Sequence, residues 1–323
     1  MLYGVKLVEL ASEVPTKTVS NFDLEKILDT NDQWITDRTG IKERRICEKE
    51  DSLYLAVESS RKALKNNDPK EIDLIIVATS TPEYLYPSTA CRLQGEIGAD
   101  NAVCFDLSAA CTGFIFALVN ACQFLQLGTF KKALIVGIDI HSRFINWADR
   151  STSILFGDGA GAILLEACPL EENQFLSHSL ACYGKAWTDL TIKTTYSNFP
   201  NADIQKNVEV VQMNGKKIYQ FAVQKVPEFI LSSLNKANIK LEEVDYFICH
   251  QANQRILDSV ADKLKVDKNK FPSNMAKYGN TSAASIPLIW EEKKNLINQK
   301  NNIISLSGFG AGLTIGSIVW KIN

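Results

Sequence analysis

Three strand-like runs, the first of them continuously apolar and β-branched, separated by helix-compatible stretches, constrain this chain more than any other feature. Leu74–Ser80 (LIIVATS), Ala102–Leu107 (AVCFDL) and Lys132–Gly137 (KALIVG) each read as a strand buried on both faces. Between them, Ser88–Ile97 and Thr112–Leu127 read as helices, and Ile154–Leu165 (ILFGDGAGAILL) reads as two strands joined through a glycine-rich turn. The pattern then repeats. Lys217–Lys236 is a long amphipathic helix, Val244–Cys249 a strand and Asn253–Leu264 a helix. Thr281–Glu292 is another helix, followed by strands at Asn302–Ser307 and Thr314–Trp320. Strands apolar on both faces and alternating with helices point to a mostly parallel sheet covered on both sides. Two rounds, broken near Cys168–Asn207, point to two similar halves, residues 1–168 and 169–323. Element order alone carries that repeat.

Composition narrows the class. The chain has 323 residues, a net charge of −2, 46% hydrophobic residues and 22% charged residues. That profile is globular and argues against a disordered chain, a fibre or a basic nucleic-acid coat. The most apolar helix, Thr112–Leu127, carries Asn120, Gln123 and Gln126, so a core helix is expected and a membrane span is not. The N-terminal MLYGVKLVEL lacks the order of a signal peptide, and a cytoplasmic location is the expectation. Eight cysteines include no C-x-x-C pair, and the three histidines fall in no ligand spacing, which argues against a zinc site. A disulfide framework is not expected either.

Chemistry concentrates in three places. In DLSAACTG a strand ends, small residues turn the chain, and Cys111 opens a long helix. The unpaired N–H groups and partial positive charge of a helix N-terminus favour a thiolate. Taken alone, Cys111 reads equally well as one more small buried residue. His250 in FICHQANQRI follows a strand and precedes a helix, where ligands of open α/β sheets bind. Alone, it reads more simply as a structural histidine. Asn280 in YGNTSAAS reads most simply as a helix cap. Neither GDGAG (157–161) nor GFGAG (308–312) is followed by Lys-Ser/Thr, so nucleotide hydrolysis is unsupported, and both read as tight turns where the backbone must come close to something.

Taken in order, SAACTGF, FGDGAGA, HQANQRI, YGNTSAAS, SGFGAGLT and the N-terminal NDQWITDRTGIKERR resemble β-ketoacyl-acyl-carrier-protein synthase type III of the thiolase superfamily. The resemblance runs from about residue 3 to residue 320. It implies an α/β, thiolase-like fold: two α-β-α-β-α halves forming a five-layered core, assembled as a homodimer. It also implies decarboxylating condensation of an acyl-CoA with malonyl-acyl-carrier protein, initiating fatty acid synthesis. No cofactor is implied, since acyl-CoA is a substrate, and no nucleic-acid or membrane partner is implied.

The resemblance also implies residue roles. Cys111 is the acylated nucleophile, His250 and Asn280 donate hydrogen bonds to the enolate, and the backbone N–H groups of Cys111 and Gly310 form an oxyanion hole. Trp34 and Arg150 match an adenine sandwich, Thr30 and Arg38 further nucleotide contacts, and Asn253 a pantetheine contact. Arg255 and Lys263 match part of a carrier-protein patch, and Tyr86 an aromatic cap on the partner subunit's acyl pocket. Phe105 and Phe156 are read as packing. Departures from the family pattern fall at Tyr86, at Ser179–Lys206 and at Gln220, where a basic residue is usual. They bear on chain length and carrier, so a specialised secondary-metabolite or surface-polysaccharide pathway stays open. So do acyl transfer without condensation and a non-enzymatic acyl-CoA-binding scaffold.

Overall fold

A computed structural model describes residues 2–195 and 207–323; of the divergent stretch 179–206, residues 196–206 lie outside the described residues. Among the described residues, nine strands form the two main sheets. They are β1 (Gly4–Glu13), β2 (Leu74–Ala78), β3 (Val103–Leu107), β4 (Lys132–Asp139), β5 (Gly159–Cys168), β6 (Phe175–Cys182), β7 (Tyr246–Cys249), β8 (Ile303–Gly310) and β9 (Thr314–Lys321). The helices that matter for the site are α1 (Asp32–Thr39), α2 (Ser52–Ala63), α3 (Thr89–Ile97), α4 (Gly113–Gln126), α5 (Gly215–Ala237), α6 (Gln254–Leu264) and α7 (Ser285–Glu292).

The first sheet has the order β1-β5-β4-β2-β3 and the second β7-β8-β9-β6. Helices α2 and α3 cover the outer face of the first sheet, α5 and α6 pack on the outer side of the second, and α4 and α7 lie between the two sheets. This is the five-layered arrangement. The middle layer is the driest part: Phe114, Ile115, Leu118 and Leu125 of α4 pack with Ile76, Ile135, Leu306, Ile318, Trp290 and Trp320 in one buried cluster. Each such side chain contributes roughly 1.5–3 kcal/mol on burial. A helix apolar on every side is what such a layer requires.

Three sequence expectations are corrected. The sheets are mixed rather than mostly parallel, because β2 is parallel to both β3 and β4, and β7 to β8, while the other four pairings are antiparallel. Helices cover both faces of every central strand, so the apolar runs carry no information on direction. Ile154–Leu165 is not a pair of strands. Gly159 and Gly161 lie inside the single strand β5, where a side chain at Gly161 would meet Pro287 of α7 at 2.7 Å. The supposed break after Cys168 contains the edge strand β6. It alternates in burial and turns Ser177 and Ser179 inward, where their hydroxyls bond Ser233 O at 2.6 Å and Ser232 Oγ at 2.9 Å.

Candidate active site

Cys111 belongs to a single 3-10 turn (Ala110–Thr112) that leads into α4. Ala110 is held at φ 47°, a left-handed conformation unfavourable for a residue with a side chain. That bend carries the chain from the half-buried end of β3 into the middle layer and buries Cys111. The second half supplies what faces it. Ser282, also in the left-handed region at φ 52°, donates its hydroxyl to the sulfur at 3.3 Å. Gly310, at the end of β8, approaches so closely that a side chain there would come within 2.9 Å of Cys111 N and 3.1 Å of Thr112 N. The hydroxyls of Thr112 and Thr314 meet at 2.8 Å across the same seam.

The thiol is not the low-pKa group expected of a helix N-terminus. Burial pushes it up to about 12, against the Ser282 hydroxyl and its own backbone N–H, which pull it down. At rest the Cys111 side chain is therefore a neutral thiol.

His250 follows β7 and is pinned by its own N–H to Ser307 O at 2.8 Å. Its ring stands edge-on to Phe309, with centroids 5.1 Å apart. Nδ1 lies 2.7 Å from Ser285 Oγ, and the Gln251 N–H points at that same oxygen from 3.4 Å. A hydroxyl that accepts from Gln251 keeps its own proton for Nδ1, and in that arrangement the ring proton sits on Nε2. Burial drives the imidazole pKa down to about 3, with His141 adding to the effect and Asp139 opposing it. The ring is neutral at any physiological pH.

Asn280 is not the helix cap expected of it, since Thr281 holds the N-cap position of the Ser282–Ala284 turn. Asn280 Oδ1 accepts from Ser282 N at 2.9 Å, which occupies the amide oxygen and leaves the NH2 as the free donor. Its backbone forms a short ladder with the first half: Asn280 N donates to Leu155 O at 2.8 Å, and Gly157 N donates to Asn280 O at 3.0 Å. Gly157 must be glycine because a side chain would collide with the Tyr278 carbonyl. The glycine-rich segment thus serves a close approach, in extended chain rather than in a tight turn.

Cys111, His250, Asn280, Phe309 and Gly310 all line one cavity of about 520 Å³, whose walls also include Arg38, Lys216, Asn253 and Arg255. Cys111 also lines a second cavity of about 770 Å³, with Ser80, His141, Leu190 and Val211 on its walls. The sulfur therefore stands where two chambers meet. Phe156 borders both chambers and stacks on His141, so it is a wall residue and not merely packing. Phe105 does pack against the middle-layer cluster.

The other predicted residues fall in three groups. Trp34 on α1 is flanked by Arg38 at 4.3 Å and Arg150 at 4.9 Å from its ring centroid, and the Thr30 hydroxyl is buried without a partner among the described residues. Arg150 is held there by donating to Asp29 O at 2.6 Å. Asn253 caps α6: its Oδ1 accepts from Arg255 N at 2.9 Å and its Nδ2 donates to Arg38 O at 3.0 Å, so its amide ties α1 to α6 at the cavity wall. Arg255 is exposed at the cavity rim, whereas Lys263 is exposed farther along α6, its Nζ 3.5 Å from Val223 O. Tyr86 is 86% exposed, beside exposed Tyr84 and Leu85.

Sequence reasoning missed Ser282, Ser285 and His141, and also Asp139. Asp139 collects Thr79, Ser80 and Thr81 on one oxygen and the Ala283 N–H, at 3.3 Å, on the other. It thereby anchors the Ser282–Ala284 turn to the first half. Among the described residues, no cluster of His, Cys, Asp or Glu could hold a metal ion, and no helix is long and apolar enough to cross a membrane.

A five-layered pair of α/β halves, with a cysteine in the turn that opens the central helix facing His and Asn from the other half, defines a thiolase-like condensing enzyme. The comparisons with known proteins agree. The family described as 3-oxoacyl-[acyl-carrier-protein] synthase III matches residues 105–184, and its C-terminal counterpart matches residues 234–322. The β-ketoacyl-[acyl-carrier-protein] synthase III of Streptococcus uberis is 45% identical over 325 aligned positions, covering 98% of this chain and 99% of the relative. That of Clostridium botulinum is 46% identical over 326, covering 99% of each. The crystal structure of 3-oxoacyl-[acyl-carrier-protein] synthase III from Aquifex aeolicus superposes with a TM-score of 0.91 at 40% identity, covering 98% of this chain and all of that one. The chain belongs to the β-ketoacyl-acyl-carrier-protein synthase III family.

Proposed function

We propose that this enzyme condenses an acyl-CoA primer with malonyl-acyl-carrier protein, releasing carbon dioxide and giving a β-ketoacyl-acyl-carrier protein, and so opens fatty acid synthesis. In the first half-reaction Cys111 attacks the acyl-CoA thioester. The acyl group passes to sulfur, and the thiol proton leaves with CoA as its free thiol. The N–H groups of Cys111 and Gly310 receive the tetrahedral oxyanion, and the Ser282 hydroxyl steadies the sulfur. In the second half-reaction malonyl thioester loses carbon dioxide. The electron pair becomes an enolate, His250 Nε2–H and the Asn280 NH2 donate to its oxygen, and its carbon attacks the acyl group. Cys111 leaves as thiolate and takes up one proton. Donors fixed in a dry site are the expected main source of rate in such a step.

The observation that carries this reading is the meeting of Cys111, His250, Asn280 and Gly310 on one cavity wall, with a second chamber opening from the same sulfur. The smaller chamber suits the pantetheine arm, entering past Trp34, Arg38 and Arg150, with Asn253 beside it; Thr30 belongs to the nucleotide end. The larger chamber suits the acyl chain. Arg255, aided by Lys216 and Lys263, offers positive charge to an acidic carrier protein. A homodimer is supported by the exposed Tyr84–Tyr86 segment and the edge strand β3 with its exposed Val103, and Tyr86 would then cap the partner's acyl chamber. The domain division at residue 168 and a cytoplasmic location complete the proposal.

Intact-protein mass spectrometry after incubation with acyl-CoAs, followed by malonyl-acyl-carrier protein, tests it. Wild type should gain one acyl mass and lose it on adding the malonyl carrier, and Cys111→Ala should gain none. His250→Ala and Asn280→Ala should still acylate but release carbon dioxide about 10²–10³ more slowly. An acyl label that malonyl carrier protein fails to discharge would point instead to acyl transfer without condensation.

A further inference from the structure

Asp139 ends β4 with a fully buried carboxylate. Among the described residues it is bonded only by hydroxyls and backbone N–H groups, and by no cation. Its two oxygens face opposite halves of the chain. Oδ1 accepts from Ser80 N at 2.8 Å and from the Ser80 and Thr81 hydroxyls at 3.0 Å, just beyond β2. Oδ2 accepts from Ala283 N at 3.3 Å. Each oxygen thus faces a backbone N–H, which can only donate, so both must accept. A carboxylate buried away from any counter-ion is costly. What it gives in return is two accepting oxygens on opposite sides, which no neutral side chain of this length offers.

The turn that Oδ2 grips is the one that serves the sulfur. Ser282, one residue before Ala283, is held at φ 52° and donates its hydroxyl to Cys111 Sγ at 3.3 Å. That left-handed conformation is unfavourable for a residue with a side chain, so the surroundings must impose it. Strand β4 does so twice. Asp139 accepts from Ala283 N, and Gly137 makes room for the Ala283 carbonyl, with which a side chain there would collide.

Resting on the acyl-enzyme reading above, we infer that Asp139 is a positioning residue for acyl transfer: its grip on Ala283 N aims the Ser282 hydroxyl at the Cys111 sulfur. A hydrogen bond strengthens when its acceptor is charged, so this donor counts most as the sulfur becomes anionic in its attack on the thioester. The carboxylate reaches the reacting atom through one turn of chain and touches neither the sulfur nor the substrate.

A double-mutant cycle on the full-length enzyme tests this, with the rate of Cys111 acylation by acyl-CoA followed by intact mass. Asp139→Asn keeps an oxygen for Ser80 and Thr81 but turns an NH2 toward Ala283 N–H, so two donors meet and the turn is released. Asp139→Asn and Ser282→Ala should each slow acylation about tenfold, the scale of one hydrogen bond to a charged group. The double variant should be no slower than either single one, because both remove the same contact. Losing the Asp139 charge would by itself favour the thiolate and speed the reaction, so charge removal does not produce the slowdown. Losses that multiply to about a hundredfold would mean that Asp139 acts on the fold at large, and they overturn the inference. So does acylation by either single variant at the wild-type rate or faster. Should circular dichroism show Asp139→Asn unfolded, Asp139→Glu, which keeps the charge but moves the oxygens by one methylene, goes through the same cycle. If that variant is unfolded too, Asp139 is purely architectural and the inference fails. Wild type that takes up no acyl group from any CoA ester overturns the acyl-enzyme reading itself.

Discussion

Ser285 Oγ lies 2.7 Å from Nδ1 of His250, and a serine hydroxyl donating to Nδ1 holds the ring proton on Nε2. Without that donor both tautomers are open, and in the Nδ1–H form Nε2 is an acceptor, the wrong polarity for an enolate. Ser285→Ala should lower the condensation rate about tenfold, the scale of one buried hydrogen bond, with a much smaller effect on Cys111 acylation. Ser285→Thr keeps the hydroxyl and should recover most of the loss. Parallel loss in both half-reactions would reduce Ser285 to a packing residue.

Gly310 offers a sharper steric test. The first carbon of a side chain would stand 2.9 Å from Cys111 N and 3.1 Å from Cys111 Cβ, and both neighbours are backbone or rigidly attached to it. Gly310→Ala should therefore slow both half-reactions by about 10²-fold or more, the cost of spoiling an oxyanion donor. Circular dichroism and a melting curve would separate this from unfolding.

The neutral thiol has a pH signature. With burial holding Cys111 up at about 12, the thiolate fraction of the free enzyme grows about tenfold per pH unit through the neutral and mildly alkaline range. Alkylation of Cys111 by iodoacetamide should rise along that line from pH 7 to 10 without a plateau. A plateau near pH 7 would mean that the helix N-terminus outweighs burial after all.

Trp34 and Arg150 are exposed enough to be read through kinetics alone. Arg150→Ala should raise KM for acyl-CoA by roughly 2- to 30-fold, the range of a cation–π or stacking contact, with kcat little altered. The gap between wild type and variant should close when the donor is an N-acetylcysteamine thioester, which has no nucleotide. A gap that persists with that donor would assign Arg150 to the architecture around Asp29.

Much of this architecture is legible in the chain itself. Leu74–Ala78 and Lys132–Asp139 announce strands through unbroken β-branched runs, and α4 through an apolar stretch too long for a strand. Cys111, His250 and Asn280 are visible because each sits in a punctuated segment at the end of an element. Ser282 and Ser285 are not, since a serine has no periodic signature and the partner of Ser282 lies 171 residues away. The strand β6 escapes for a related reason. Its inward positions include Ser177 and Ser179, which are satisfied by other hydroxyls and a carbonyl, so a buried face reads as polar. Strand direction escapes entirely, because covering both faces of a sheet erases the alternation that would reveal it.

The hydroxyl pair Thr112–Thr314, next to Cys111, and the Asn280 ladder to Leu155 and Gly157 join the two halves. This ties the inheritance of the two halves together. A chimera made by recombining this chain with a relative near residue 170 would keep both sheets whole and yet exchange one side of every one of these contacts. Such hybrids should fold far more often than they react, and their activity should return when residues 110–114, 154–157, 280–285 and 310–314 are drawn from a single parent.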